Sequence, residues 1–358
     1  MTRKLNFYAG PAALPLPVLE KLQREIVDFP GIGMSLLETS HRSDEYEGVH
    51  NRAIELIRKL LGVPSNYHVL FLGGGATLQF GMVPLNFLAG RNCDFTLTGS
   101  WASKAYSDAK KIGKVNVVFD GAQAKYTNLP SELSVTPGAS YLHLTSNETI
   151  GGLQWQSFPA TGAVPIFADM SSDILSRRVP VERFGLIYAG AQKNLGPAGT
   201  TVVIIRDDLI AQCPDSLPAY LSYKTHSDNN SLYNTPPVFG IYVIKLVLDW
   251  IEEQGGLKKI EEANVRKAAL LYSAIDESNG FYTCPVESAF RSKMNAVFTL
   301  RSEELEKAFL AEATAMGMVG LKGHRSVGGC RASIYNATSY DTVQGLVDFM
   351  QDFARRRE

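Results

Sequence analysis

Cysteine is scarce in this chain. Four of its 358 residues are cysteine (Cys93, Cys213, Cys284 and Cys330), and no two of them stand in a C-x-x-C spacing. That excludes a zinc site of the usual kind and a secreted disulfide framework, and leaves ordinary reduced thiols. An excess of charge is also missing: 35 Lys and Arg stand against 36 Asp and Glu, a formal net charge of −1. A protein built to grip nucleic acid by its phosphates would be basic, so any cationic chemistry here is local. No apolar run approaches the roughly 20 residues of a membrane span. The opening MTRKLNFYAGPAALP lacks the apolar stretch of a signal peptide. Repeats and low-complexity tracts are absent. The expectation is a soluble, cytoplasmic protein with no bound metal and no nucleic-acid or membrane partner.

Hydrophobic residues make up 45% of the chain and charged residues 20%, enough for a full core. The length suggests about two domains of ~150 residues each. Pro11, Pro15 and Pro17 make the first segment an extended arm. Apolar spacing at Val18, Leu19, Leu22, Ile26 and Val27 predicts a helix over 18–28, and a second is expected over 46–61, stopped by Gly62 and Pro64. Seven buried-strand runs follow, at 68–72, 94–97, 116–119, 141–144, 164–168, 186–189 and 201–206. Helix-length segments separate several of them. That alternation implies an α/β fold with a mostly parallel seven-stranded sheet flanked by helices on both faces. After Pro236-Pro237 come two helices, 239–253 and 257–277, and then strand 295–300, helix 303–315, strands 319–321 and 331–335, and helix 342–356. The elements from 295 onward form a small α+β domain. The expected division is 16–258 for the large domain, with 1–15 and 259–358 in the small one.

Ligands of open α/β sheets sit beyond the carboxyl ends of the strands. The residues found there are the glycine turn 73–77, Gly99-Ser100-Trp101, Asn147-Glu148-Thr149, Asp169 and Gln192-Lys193. The glycine turn can present backbone N–H groups to an anion at a helix start, or be a close-packed turn with no ligand. A dinucleotide fingerprint fails there: Leu78 occupies the third glycine position, and Asp94 begins its strand instead of ending it. Lys193 follows the apolar run LIYAGAQ and precedes NLGPAG. It either snorkels to water or, at a cleft edge, loses its proton cheaply and holds a carbonyl as an imine. Asp169 ends the strand PIFAD one crossover earlier, where it is either a helix N-cap or a charge partner. A lysine and an aspartate joined in this way are what pyridoxal phosphate requires, the first for its aldehyde and the second for its pyridine nitrogen. Trp101 is either a ring to stack on such a cofactor or a core tryptophan.

These motifs carry a resemblance over almost the whole chain. SHRSDEY at 40–46, HVLFLGGGATLQF at 68–80, SNETIGG at 146–152, DMSSDILSR at 169–177, YAGAQKNLGPAG at 188–199, LYNTPP at 232–237 and KGHRSVGGCRASIYNA at 322–337 resemble the phosphoserine aminotransferases, class V pyridoxal-phosphate enzymes of type I fold. The resemblance implies transfer of an amino group from L-glutamate to a phosphorylated 2-oxo acid, in serine biosynthesis and in a related step toward pyridoxine. Lys193 would hold the cofactor and shuttle the proton, Asp169 would meet the pyridine nitrogen, Trp101 would stack, and Thr149 would stand at the ring edge. Ala76, Thr77 and Gln192 would cradle the cofactor phosphate, completed by Asn234 and Thr235 from the second subunit of a homodimer. Arg331 would take the substrate α-carboxylate. His41, Arg42, His324 and Arg325 would take the distal anion, a task for which arginine forks are suited. Two departures stand out: Thr77 occupies a position where some members carry Arg, and Ala9 one where some carry Ser. Alternatives are another class V activity, such as serine–glyoxylate transamination or cysteine desulfuration, and a non-catalytic cofactor-binding protein.

Overall fold

Side-chain alternation shapes the centre of the molecule. The computed structural model describes residues 3–357. Seven strands form one sheet, in the spatial order Tyr67–Gly73, Thr200–Arg206, Phe184–Gly190, Ile166–Asp169, Leu142–Thr145, Asn92–Leu97 and Lys114–Asp120. Thr200–Arg206 runs antiparallel to both neighbours, and the remaining pairs are parallel. The central strands are apolar on both faces with a period of two. Val69, Phe71, Ala168, Ile187, Val202 and Ile204 enter one core cluster; Leu70, Leu72, Phe167, Leu186, Val203 and Ile205 enter another. Helices Asp44–Leu61 and Val238–Glu253 cover the first face, and Gly75–Phe87 and Ser100–Ile112 cover the second. The expected doubly covered α/β sheet is therefore present. Helix Asp44–Leu61 begins where Ser43 Oγ accepts from the Tyr46 N–H and ends at Gly62, whose φ of 66° no other residue adopts as freely.

The chain's first turns depart from expectation. The first helix is Leu16–Glu25, two residues earlier than its apolar spacing suggested, because Pro17 sits in the first turn, where a missing N–H costs nothing. The arm before it holds a two-residue strand, Leu5–Asn6, paired in parallel with Met318–Val319. The expected strand at 319–321 thus joins the N-terminal arm, and the neighbouring three-stranded sheet consists of Tyr282–Thr283, Asn295–Leu300 and Cys330–Ser333. That sheet, Phe7 and helices Glu303–Ala315 and Tyr340–Arg355 share a separate core. One unbroken helix, Gly256–Asp276, serves both bodies: Leu257 and Ile260 pack into the large core, and Ala268, Leu271 and Ile275 into the small one. The expected division at 258/259 falls inside this helix. Met1, Thr2 and Glu358 lie outside the described residues.

Lys267 on that helix is 2% exposed. Its ammonium donates to the carbonyls of Ile334 (3.1 Å), Tyr335 (2.7 Å) and Thr338 (2.9 Å), so all three protons are used. The same turn is tied to the large body, through Asn336 N to Asn194 Oδ1 (3.0 Å) and Asn336 Nδ2 to the Leu175 carbonyl (2.8 Å). Lys267→Met would leave three carbonyls without their donor. It is expected to destabilise the protein by about 3 kcal/mol or more, read as a lowered midpoint of thermal unfolding. An unchanged midpoint would contradict this role.

Candidate active site

A cavity of about 300 Å³ opens at the carboxyl ends of the parallel strands. Strand Tyr67–Gly73 delivers the chain into Gly74, whose φ of 85° turns it into helix Gly75–Phe87. The first residues of that helix, Gly75, Ala76 and Thr77, line the cavity with their unpaired end of the helix. Opposite them, Gln192 and Lys193 follow strand Phe184–Gly190, and Asp169 ends its own strand.

Lys193 is 8% exposed, and its Nζ donates to Thr149 Oγ1 at 2.6 Å. Burial pushes its pKa down to about 8, against the opposing pull of the Asp169 and Glu148 carboxylates. Only the neutral amine attacks a carbonyl, and its fraction grows as pH rises. A carbonyl reagent is expected to modify Lys193 at a rate that climbs through about pH 8 and then levels off. A midpoint near 10.5, the ordinary lysine value, would contradict the burial.

Asp169 is buried, and both hydrogen bonds its carboxylate accepts fall on Oδ1, from Ser171 N (2.9 Å) and Ser171 Oγ (2.6 Å). Oδ2 has no partner among the described residues. Burial raises the carboxyl pKa, while Ser171 and the Lys193 charge hold it down. Ser171 Oγ is itself fixed by accepting from Gly190 N at 3.0 Å. Asp169 Oδ1 thus closes a turn onto Ser171, no helix follows it directly, and the second carboxylate oxygen remains unpaired.

Trp101 lines the cavity in the first turn of helix Ser100–Ile112. Lys193 Nζ lies 5.6 Å from the centroid of its ring. The turn is held by Glu148, whose carboxylate accepts from Trp101 N (3.1 Å) and Ala102 N (2.9 Å). Burial pushes the Glu148 pKa up to about 7, and the two N–H groups restrain the rise. Gly99 leaves room for this carboxylate: a Cβ there would lie 2.5 Å from Glu148 Cδ. Arg331 donates from Nη1 to the Thr149 carbonyl at 3.3 Å, and burial lowers its pKa. His324 also lines the cavity; burial and the charges of Arg331, Lys104 and Arg325 lower its pKa.

The structure thus brings Ala76, Thr77, Trp101, Thr149, Asp169, Gln192, Lys193, His324 and Arg331 to one cavity. It does not bring His41, Arg42, Asn234, Thr235 or Arg325 to the lining in a single chain. Arg42 is exposed before helix Asp44–Leu61, Asn234 and Thr235 are exposed before helix Val238–Glu253, and Arg325 is exposed beyond His324. Residue reasoning missed Gly10, Thr145, Ile150, Ser171 and Ser172 in the lining, and it placed Asn147 and Glu148 at a strand end without giving either a role. The only available signal for Glu148 was its position between two strand-end residues. Asp94 is structural: it accepts from Thr136 N (2.6 Å) and Asn116 Nδ2 (2.9 Å). Among the described residues no cluster of three or more acidic, cysteine or histidine side chains could hold a metal, and no helix is long and apolar enough to cross a membrane.

The model of the aminotransferase class-V family matches residues 4–346. The chain belongs to the class-V aminotransferases. Among curated class-V relatives it is 56% identical to a phosphoserine aminotransferase of Geobacillus kaustophilus (strain HTA426), over 99% of both chains. It is 56% identical to one of Niallia circulans, again over 99% of both. Among solved structures, phosphoserine aminotransferase from Bacillus circulans subsp. alkalophilus superposes with a TM-score of 0.98 at 55% identity, covering 99% of each chain. A phosphoserine aminotransferase studied for radiation damage of its Schiff base superposes at 0.97, with 50% identity over 99% of this chain and 100% of the other.

Proposed function

We propose that this protein exchanges amino groups between L-glutamate and 3-phosphohydroxypyruvate, giving 2-oxoglutarate and O-phospho-L-serine, with pyridoxal phosphate as cofactor. The observation that carries the reading is a buried lysine amine beside a buried carboxylate, on the floor of one cavity with cations at its mouth. The residues present fit the cofactor. Asp169 Oδ2 is unpaired, as a carboxylate waiting for a pyridine N–H would be. Trp101 would stack on the ring, and Thr149 would stand at its edge. The helix start at Ala76 and Thr77, with Gln192, would take the phosphate, and Lys193 would hold the aldehyde. When bound, the cofactor supplies an electron sink for the bonds at the substrate Cα.

The chain's own residues do the rest. Lys193 Nζ takes the α-proton, which an amine of pKa about 8 does far more readily near neutral pH than an ordinary lysine. Thr149 Oγ1 holds that amine in place. Arg331 grips the α-carboxylate that all four substrates and products share. Two buried N–H groups, Trp101 Nε1 and Arg331 Nε, have no acceptor among the described residues, which suits a cavity that receives an anion. His324, Arg325, His41 and Arg42 bind the distal phosphate or γ-carboxylate. His41, Arg42, Asn234 and Thr235 stand away from this chain's own cavity, and in this reading they act in a homodimer. There a second copy contributes its Asn234 and Thr235 to the cofactor phosphate. The protein then works in the cytoplasm, in serine biosynthesis, and also converts the phosphorylated 2-oxo-4-hydroxybutanoate of pyridoxine biosynthesis.

The test is a pair of incubations of the purified protein. Phosphoserine with 2-oxoglutarate should give glutamate, and cysteine should give no sulfide. Sulfide without glutamate would overturn the reading. A desulfurase needs a reactive thiol at the site, whereas Cys330 is buried and its thiol pKa is pushed well above the usual range.

A further inference from the structure

Lys104 is a second cation beside the Trp101 ring. It stands in the second turn of helix Ser100–Ile112, three residues after Trp101, with its Nζ 4.1 Å from the centroid of the Trp101 ring. The side chain is exposed, and it has no carboxylate partner among the described residues. Lys111 on the same helix, by contrast, pairs with Asp108 at 2.7 Å. Neither Arg325 nor Arg331 has a carboxylate partner among the described residues. The charges of Lys104, Arg325 and Arg331 all reach His324 and disfavour its protonation. Three cationic side chains, Lys104, Arg325 and Arg331, therefore surround the His324 ring at the cavity, with no carboxylate paired to any of them among the described residues. Like charges are held together at a cost, and a ligand anion removes it. Across the cavity, Thr77 offers a hydroxyl and no charge.

We propose that Lys104 is a specificity-determining residue that binds the distal phosphate of the substrate and favours it over the γ-carboxylate of glutamate. The inference rests on the amino-transfer reading above and adds to it the source of discrimination between the two distal anions. The Lys104 ammonium lies over the ring of Trp101, a residue that lines the cavity, and cation–π attraction holds it beside the site. An ammonium is a compact point charge without the fork that matches a planar carboxylate. Its attraction grows with the charge of its partner, about −2 for a phosphate monoester near neutral pH against −1 for a carboxylate. Arg331 holds the feature common to both substrates, and Lys104 acts on the feature that differs.

The experiment uses the full-length, cofactor-loaded enzyme. Lys104→Met keeps an apolar stem over the indole and removes the charge; Lys104→Arg restores a charge. In Lys104→Met the KM for phosphoserine is expected to rise about tenfold, as for loss of one charge-assisted contact. The KM for glutamate should move by less than about threefold. Competitive inhibition by inorganic phosphate should weaken in parallel with the phosphoserine KM, and Lys104→Arg should recover most of the loss. Equal changes for both substrates, an unmoved phosphate inhibition constant, or an arginine variant as impaired as the methionine variant would each overturn the proposal. The amino-transfer reading is judged separately and first, on the wild-type protein: if that does not convert phosphoserine at all, the earlier reading fails, whatever the variants do.

Discussion

Lys193→Ala is expected to yield a folded protein with no measurable amino transfer. The side chain is 8% exposed, and its amine makes one hydrogen bond, to Thr149 Oγ1. Its removal therefore opens a small space in a cavity that already exists, and global stability should change little. The chemical loss is large, because the same amine serves as cofactor anchor and proton carrier. Proton transfer by a positioned group alone is worth about 10²–10⁴ in rate, so a loss of at least about a thousandfold is expected. Lys193→Arg separates charge from proton transfer: guanidinium keeps the positive charge next to Asp169 but does not deprotonate in this range, so it should be as inactive as alanine. After borohydride reduction and digestion, the wild-type protein should carry a pyridoxyl group on the Lys193 peptide and neither variant should. Activity in either variant above about one percent of wild type would remove Lys193 from its role.

Asp169→Asn should cost about a hundredfold to a thousandfold in turnover, the range typical of removing one preorganised charge from a buried site. The substitution conserves shape. Asn Oδ1 still accepts from Ser171, which leaves the amide NH₂ where the unpaired Oδ2 now stands. A donor then faces the position proposed for the pyridine nitrogen, in place of an acceptor with a full charge. A second effect is independent of turnover. Asp169 is the largest influence that keeps the Lys193 ammonium charged against burial. Without it, the midpoint for carbonyl-reagent attack on Lys193 in the cofactor-free protein should fall below its value of about 8. An unmoved midpoint would show that the two groups are not coupled as their geometry requires.

Much of the site could be read directly because its residues follow strands. Apolar runs such as PIFAD and LIYAG mark where parallel strands end, and a ligand of such a sheet meets whatever comes next. Asp169 and Lys193 therefore emerged from position and chemistry together. Glu148 escaped because its partners are backbone amides 46 and 47 residues earlier in the chain, and no side-chain pattern records that pairing. Leu5–Asn6 and Met318–Val319 are two residues each, too short to carry a period. The direction of Thr200–Arg206 was within reach. Only residues 191–199 connect it to the preceding strand, and a parallel crossover needs a dozen or more residues. The roles suggested for Asn234 and Thr235 came from family resemblance, and those of His41 and Arg42 from resemblance together with the suitability of arginine for anions; nothing in their local sequence points to a cavity on this chain.

The pairing of Leu5–Asn6 with Met318–Val319 also governs when the molecule can be finished. On the ribosome the second of these strands is made 313 residues after the first. At about 5–20 residues per second, that interval is roughly 15–60 s. Throughout it Phe7, fully enclosed in the completed structure, has no small-lobe core to enter. The large lobe can be assembled while synthesis continues, and the opening segment of the chain is among the last to be locked.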